Sequence, residues 1–409
     1  MTPSSRSNFL LVTVAFCLLP CLFSSAAHAD LRVVPTAHYR IETDLVPELA
    51  DDLSMRLDVM YAEYAGRLPR AVEKGKATKK LHVYLFRKRA DYLHLVGERF
   101  TNTGGLYVSG RNFLAAFLER QGRDGLRRTL QHEAFHQFVH EAMPNGIPVW
   151  LNEGMAQFYE EGLWTGSDFW TGQVPPRRVR QLQLDLKKGR MSDFATLGSL
   201  TSAQWAQVFT GEMGKGATQY NHAWAMVYFL LHFKDETGRE PYKNRLADLF
   251  QSLQDGADNR TAFARIFPDA ATIQEKFLVY AQKLAPTPDA TLIERQSVLG
   301  DLVIALRSRE AIPDTFADIR KLLMKVGYRI RYTQDEVKWD SDADVTIYFS
   351  DMAGRPFSNR QLTLEPRAGA PMPDIVCRCF DHHQLRTRFY NADGKVEHEI
   401  LVQPLTTAP

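Results

Sequence analysis

The chain has 409 residues, 44% hydrophobic and 24% charged, with Lys+Arg 50 against Asp+Glu 48 and a formal net charge of +2. That is the profile of a globular protein long enough for two domains, and it excludes long disordered stretches. The near-neutral balance offers no electrostatic reason to expect a nucleic acid or an anionic membrane as partner.

Arg6 is the only charge before an apolar run, "FLLVTVAFCLLPCLF", which ends in "SSAAHAD". Small residues at Ala27 and Ala29 suit a signal peptidase, so residues 1–29 are expected to be a leader cleaved before Asp30, with export to the periplasm or beyond. An uncleaved anchor is the weaker reading, because the run is short and Pro20 interrupts it. Cleavage removes Cys17 and Cys21 and leaves Cys377 and Cys379, so stability must come from a core rather than a disulfide framework.

The expected fold class is α+β. "HYRIETD" reads as a strand, and "VPELADDLSMRLDVMYAEYAGRL" as a long helix with Leu49, Leu53, Met60 and Tyr64 on its apolar side. "KLHVYLF" is a second strand and "RADYLHLVGE" a short helix. "GGLYVSGRNFLAAFLER" predicts two strands folded around Ser109-Gly110. From about 125 to 285 the signals are almost wholly helical, and "TQYNHAWAMVYFLLHF" is the most buried candidate, with Trp224 and Tyr228 as core. "LAPTPDA" (284–290) is the best linker. Beyond it, "PDTFADIRKLLMKVGY" predicts a helix with Pro313 in its first turn and Gly327 at its end. The strands "YRIRY", "DVTIYF", "LRTRFY" and "KVEHEILV" follow, the last two joined by a "NADG" turn. The expected organisation is an α/β subdomain (30–125), a helical subdomain (126–286) and a smaller α+β accessory module (291–409).

"QHEAFHQFVH" (131–140) holds the chemistry. His132 and His136 are four apart, which on a helix sets both imidazoles on one face, one turn apart. Glu133 completes H-E-x-x-H, a pattern whose usual metal is zinc. A third ligand is needed. The Cα of His140 lies roughly 12 Å along the axis from that of His132 at about 1.5 Å per residue, too far to share one ion. A metzincin arrangement would need glycine and histidine where this chain has Val139 and Ala142. The remaining candidate is "PVWLNEGMAQFYEEG" (148–162). There Pro148 suits a helix's first turn and Leu151, Met155 and Phe158 form an apolar stripe, leaving Glu153, Gln157 and Glu160 on another face. A turn at "PNG" would bring an antiparallel helix back with Glu153 beside the histidines, and Gly154 would let the two helices approach closely.

His132-Glu133-Ala134-Phe135-His136 followed by Trp150-Leu151-Asn152-Glu153-Gly154-Met155-Ala156 resembles the gluzincin metallopeptidases, the clan of thermolysin and aminopeptidase N. "NEGxA" is nearest the aminopeptidase N branch, although the gap between the motifs is shorter here and the G-A-M-E-N segment is absent. The chain is more similar to poorly characterised bacterial gluzincin-like domains of unknown function. The resemblance implies one Zn2+ per chain, held by His132, His136 and Glu153, with Glu133 as general base. It also implies an oxyanion donor at Tyr220, with His222 the alternative, and a substrate-binding edge strand at "GGLYVSG". Gln157 stands where many gluzincins carry a carboxylate beside a zinc histidine; Glu160 is the candidate replacement.

Two other features have plainer readings. "PPRRVRQLQLDLKKGR" (175–190) is read as a solvated basic helix face, and "CRCFDHH" as a structural or redox pair without zinc-ribbon spacing. The expected function is an exported zinc metallopeptidase acting on a peptide or protein, with no nucleic acid and no stable membrane insertion. The alternative is a non-catalytic envelope scaffold that keeps the fold.

Overall fold

A computed structural model describes residues 31–68, 80–143, 145–210, 215–309, 312–334, 337–380 and 382–405. The leader expected over 1–29 lies outside the described residues. Among the described residues no helix is long and apolar enough to cross a membrane. The fold is α+β, with one large core over the first two-thirds of the chain and a second core beyond residue 291.

The N-terminal sheet has the order β1-β2-β3-β5-β4, formed by Arg32–Pro35, Tyr39–Thr43, Leu81–Phe86, Gly105–Val108 (β4) and Phe113–Phe117 (β5). The three inner strands are parallel, and the edges β1 and β4 run antiparallel to their neighbours. Alternation sets the faces: in β2, Tyr39, Ile41 and Thr43 are buried while Arg40 is exposed. β5 is buried at every position because helices cover both its faces. Helices α1 (Pro47–Arg67) and α3 (Gly122–Ala142) pack on one side, and α2 (Arg89–Val96) on the other. The edge strand lies close to α3, since a Cβ on Gly105 would sit 2.4 Å from Thr129 Cγ2.

After residues 143–148 the chain returns as α4 (Val149–Glu160), alongside α3. Buried Gln131 of α3 pins the pair: its amide nitrogen reaches the carbonyls of Tyr159, Glu160 and Gly162 at 2.9, 3.1 and 3.0 Å. Those carbonyls lie at and just past the end of α4, so the contact helps cap the helix from its neighbour. A two-residue-per-strand hairpin, β6 (Leu163–Trp164) with β7 (Phe169–Trp170), interrupts the expected helical run. Helices α5 (Pro176–Lys187), α6 (Phe194–Ser199), α7 (Ser202–Thr210), α8 (Lys215–His232), α9 (Lys243–Gln254), α10 (Asn259–Ile266) and α11 (Ala270–Lys283) follow. Trp224 and Tyr228 of α8 are buried, as expected.

The expected linker is shorter than 284–290, because Pro288 opens α12 (Pro288–Arg307). Proline's fixed φ and missing N–H suit a first helical turn, so the residue that looked like a breaker is a start. Helix α13 (Phe316–Val326) begins after Thr315 rather than at Pro313, because the Thr315 hydroxyl accepts the Asp318 N–H at 3.2 Å; it ends at Gly327, φ 65°. "DVTIYF" is not a strand. Asp344 accepts from Thr346 N and turns Val345–Phe349 into a 3-10 helix. β8 (Arg331–Gln334) and β9 (Val337–Asp340) form a separate ribbon. The sheet β10-β11-β12-β13 comprises Leu362–Glu365, Asp374–Cys377, His383–Ala392 and Lys395–Pro404. Asp393 and Gly394, φ 46° and 81°, make the two-residue turn that "NADG" predicts. Cys377 is buried, Cys379 lies past the end of its strand, and both are free thiols.

The last hairpin grips the start of α3. Glu399, 1% exposed, lies 2.8 Å from Arg123 Nη1 and 2.7 Å from Arg127 Nη2. Asp124 accepts the Ile400 N–H at 2.8 Å. Removing Glu399 takes a buried partner from both arginines, of which Arg127 keeps Asp52 and Asp124; breaking such a buried pair typically costs about 3–5 kcal/mol. Glu399→Ala is therefore expected to lower the urea midpoint substantially, and an unchanged midpoint would show that the hairpin does not brace α3.

Candidate metal centre

His132 and His136 point from α3 toward Glu153 of α4. The two Nε2 atoms are 3.1 Å apart, and Glu153 Oε2 lies 3.5 Å from the first and 3.6 Å from the second. A tetrahedral zinc with bonds of about 2.0–2.1 Å separates its ligand atoms by about 3.3 Å, so the triangle has the right size for one ion. These three residues form the one His/Cys/Asp/Glu group of metal-holding geometry among the described residues. Each is partly open to solvent, at 15%, 13% and 14% of its side chain.

The outer nitrogens decide what the inner ones can do. His136 Nδ1 is 3.0 Å from Asn152 Oδ1, and His132 Nδ1 is 3.3 Å from Glu160 Oε2. Both oxygens only accept, so each imidazole donates outward from Nδ1 and, when neutral, turns a lone pair inward from Nε2. Glu153 Oε2 is buried with no donor of its own. Three acceptors therefore face one point, and only a cation or a proton relieves that arrangement. The donor set of two imidazoles and a carboxylate fits zinc.

The electrostatics state the same demand. Burial works against a charged His132, but Glu153, Glu160 and Glu133 outweigh it and push its pKa up to about 10. Burial would raise the Glu153 carboxyl, yet the two histidines pull it down to about 2. His136 is shifted upward too, Glu153 overcoming its burial.

Around the triangle, Glu133 accepts the backbone N–H of Tyr107 at 2.8 Å, which ties it to edge strand β4. Tyr220 of α8 stands with its ring edge-on to Trp205, 5.5 Å between centroids. Its phenol is pushed above the ordinary range by burial and by the charges of Glu153 and Glu133, so it stays protonated. The structure thus brings Tyr220 within the field of both glutamates. His222 is not there: it is 1% exposed, stacked on Phe277 at 5.6 Å, and burial lowers its pKa to about 4. It is a core histidine. His140 is exposed on the next turn, its ring beside Tyr107.

Residues 127–244 match a family described as "Protein of unknown function (DUF1570)". The match covers well under half of the chain, but it spans all three metal-facing residues, Glu133 and Tyr220. No curated protein matches the chain.

Gly154 serves a different contact from the expected one. A Cβ there would lie 2.6 Å from the Ala223 carbonyl oxygen, so glycine permits close approach of α4 to α8, not to α3. The basic face expected at 175–190 is likewise corrected. Arg177 and Arg178 turn inward to Glu161, and Arg178 Nη2 also reaches Glu160 at 3.4 Å. Arg180 pairs with Glu294 at 2.9 Å and lies 4.1 Å over the Trp339 ring; only Lys187 and Lys188 fit the exposed picture. Adjacent Glu160-Glu161 at the end of an apolar helix was the signal, since two carboxylates entering a core require cations.

Glu160 and Glu161 also reach a cavity of about 570 Å3 between the two cores, lined in part by Arg128, Arg177, Arg180 and Glu399. Its charged groups pair with one another, and the three metal-facing residues do not line it. The donor set, not the void, marks the chemistry.

At neutral pH the metal-free protein holds a proton on His132, which must leave for a metal to enter. Metal uptake is therefore expected to release protons and to weaken as pH falls, because protons compete with the metal for the His132 nitrogen. Calorimetric titrations with zinc in buffers of different ionisation enthalpy between about pH 6 and 8 check this; no proton release would overturn the electrostatic account.

Proposed function

We propose that the chain is an exported zinc-dependent peptidase of gluzincin type, with one zinc per chain held by His132, His136 and Glu153. The observation that carries this reading is the converging set of two imidazole nitrogens and one buried, donorless carboxylate oxygen at zinc-ligand spacing. The H-E-x-x-H and N-E-G-x-A resemblance supports the peptidase class, and the apolar leader supports export.

Bound at this point, zinc supplies Lewis acidity to a water and to the scissile carbonyl. Glu133, its carboxylate oriented by the Tyr107 amide, takes a proton from the water as the oxygen bonds to the carbonyl carbon. The same carboxyl then hands that proton to the leaving nitrogen as the C–N bond breaks. Tyr220, neutral in this field, donates from its phenol to the oxyanion. The module beyond residue 291 braces the start of the metal helix through Glu399.

Metal analysis of the wild type beside Glu153→Ala and His140→Ala tests the centre: one zinc, lost in the first variant and kept in the second, is expected. Glu133→Gln should keep its zinc and lower peptide turnover by roughly 10²–10⁴-fold, the usual share of a general base. A zinc-loaded wild type that cleaves nothing across broad peptide libraries would instead favour the scaffold reading.

A further inference from the structure

The cavity between the two cores, about 570 Å3, has the size of a small-molecule site, since ligand pockets run to about 300–1,000 Å3. Arg128 of α3 and Arg177 and Arg180 of α5 line it from the larger core. Glu294 of α12, Tyr332 and Trp339 of the β8–β9 ribbon and the last hairpin close it from the C-terminal module. Seven arginines and seven acidic residues lie in its wall.

The charges balance, but the hydrogen bonds do not. Six of the seven arginines, all but Arg127, keep a buried N–H without a hydrogen-bond partner, and Arg180 keeps two, at Nε and Nη2. Among the described carboxylates of the wall, the one buried oxygen in that state is Glu399 Oε2, and it lies 2.7 Å from Arg127 Nη2. What the wall lacks is therefore acceptors. Arg56 is 5% exposed, and burial lowers its pKa to about 10 despite Asp52. Burial and the neighbouring Arg128 charge lower Arg177 to about 10 despite Glu161. Trp339 offers no platform for a sugar or a base. The Arg180 guanidinium carbon lies 4.1 Å from its ring centre and the Tyr332 ring centre 4.2 Å, and two groups that close must take opposite faces. Arg180 is thereby held against the ring, with Nη1 on Glu294 at 2.9 Å and its other two nitrogens unused.

We propose that this cavity is a binding site for a small oxyanion, a ligand carrying carboxylate or phosphate groups, with Arg177 and Arg180 as its principal donors. The two residues are three apart on α5 and share a face of that helix. Planar guanidinium forks take carboxylate or phosphate oxygens two at a time, and they tolerate burial better than an ammonium does. The unpartnered nitrogens are covered by neighbouring side chains, so the anion is met by turning of the guanidinium groups. A ligand held here would bridge the larger core and the C-terminal module. The site is independent of the zinc reading, since none of the three metal-facing residues lines it. The competing account is a hydrated seam, in which water oxygens satisfy the same N–H groups.

Inorganic phosphate and succinate, titrated at constant ionic strength into the full-length mature protein, separate these accounts. Tryptophan fluorescence gives the dissociation constants, because Trp164 and Trp339 stand in the wall, and the rise in thermal midpoint checks them. Saturable binding of at least one probe is expected. Arg180→Gln should weaken it by about 10-fold or more, the weight of one hydrogen bond to a charged group. Lys187→Gln removes the same charge from an exposed position on α5 and should change nothing. Glu294→Gln removes the carboxylate that competes for Arg180 and should tighten binding, a direction that loss of structure does not produce. Preference for phosphate identifies a phosphorylated ligand, preference for succinate a carboxylate, and equal binding a site that reads the oxyanion alone. No saturable binding of either probe in the millimolar range would overturn the proposal in favour of the hydrated seam. Affinities that Arg180→Gln and Glu294→Gln both leave unchanged would do the same, by placing the anion elsewhere.

Discussion

Three acceptors facing one point, with no donor among them, is the constraint around which the larger core is arranged. Two Nε2 atoms at 3.1 Å and a carboxylate oxygen within 3.6 Å of both are tolerable only around a positive charge. Such an arrangement persists because the scaffold over-determines it. Gln131 ties the end of α4 to the middle of α3, and Gly154 lets α8 press against the other side of α4. The helix carrying Glu153 is therefore fixed from two directions.

The charge pattern around the triangle is layered. Nearest the metal point are acceptors, and behind His132 stands Glu160, then Arg128 and Arg178, then Glu161 with Arg177. Outward from Glu160 the groups alternate in sign, carboxylate, guanidinium, carboxylate, guanidinium, and such pairing is what lets buried charges coexist. The chain of pairs ends at the seam where the second core begins, and a second set, Arg123, Arg127 and Glu399, clamps the start of α3 to the last hairpin. The C-terminal module is thus mechanically continuous with the helix that bears both histidines.

Edge strand β4 links the sheet to the site. Tyr107 is free to donate to Glu133 because an edge strand has amides that its single neighbour does not use. Gly105 brings that strand within reach of α3. The same edge that would be an aggregation hazard in isolation is occupied here by the carboxylate of a metal-site residue.

The local elements were legible in the sequence wherever one periodicity held. β2, β3, the long first helix, the "NADG" hairpin and the buried α8 all follow from alternation, 3.6-residue spacing and turn chemistry. So did the candidate triad, because i,i+4 histidines on a helix and a following amphipathic helix with a glutamate leave few geometries, and helix rise alone set His140 aside. What the sequence could not decide were contacts between elements that carry no periodic signal. Pro288 and "DVTIYF" depart from their pattern because a helix start and an Asp-capped 3-10 turn depend on single hydrogen bonds and packing. Gly154 facing α8, His222 buried against Phe277 and the inward turn of Arg177 and Arg178 were settled only by which helix faces which. A helix wheel states that a residue lies on a face; only the tertiary structure states what that face meets.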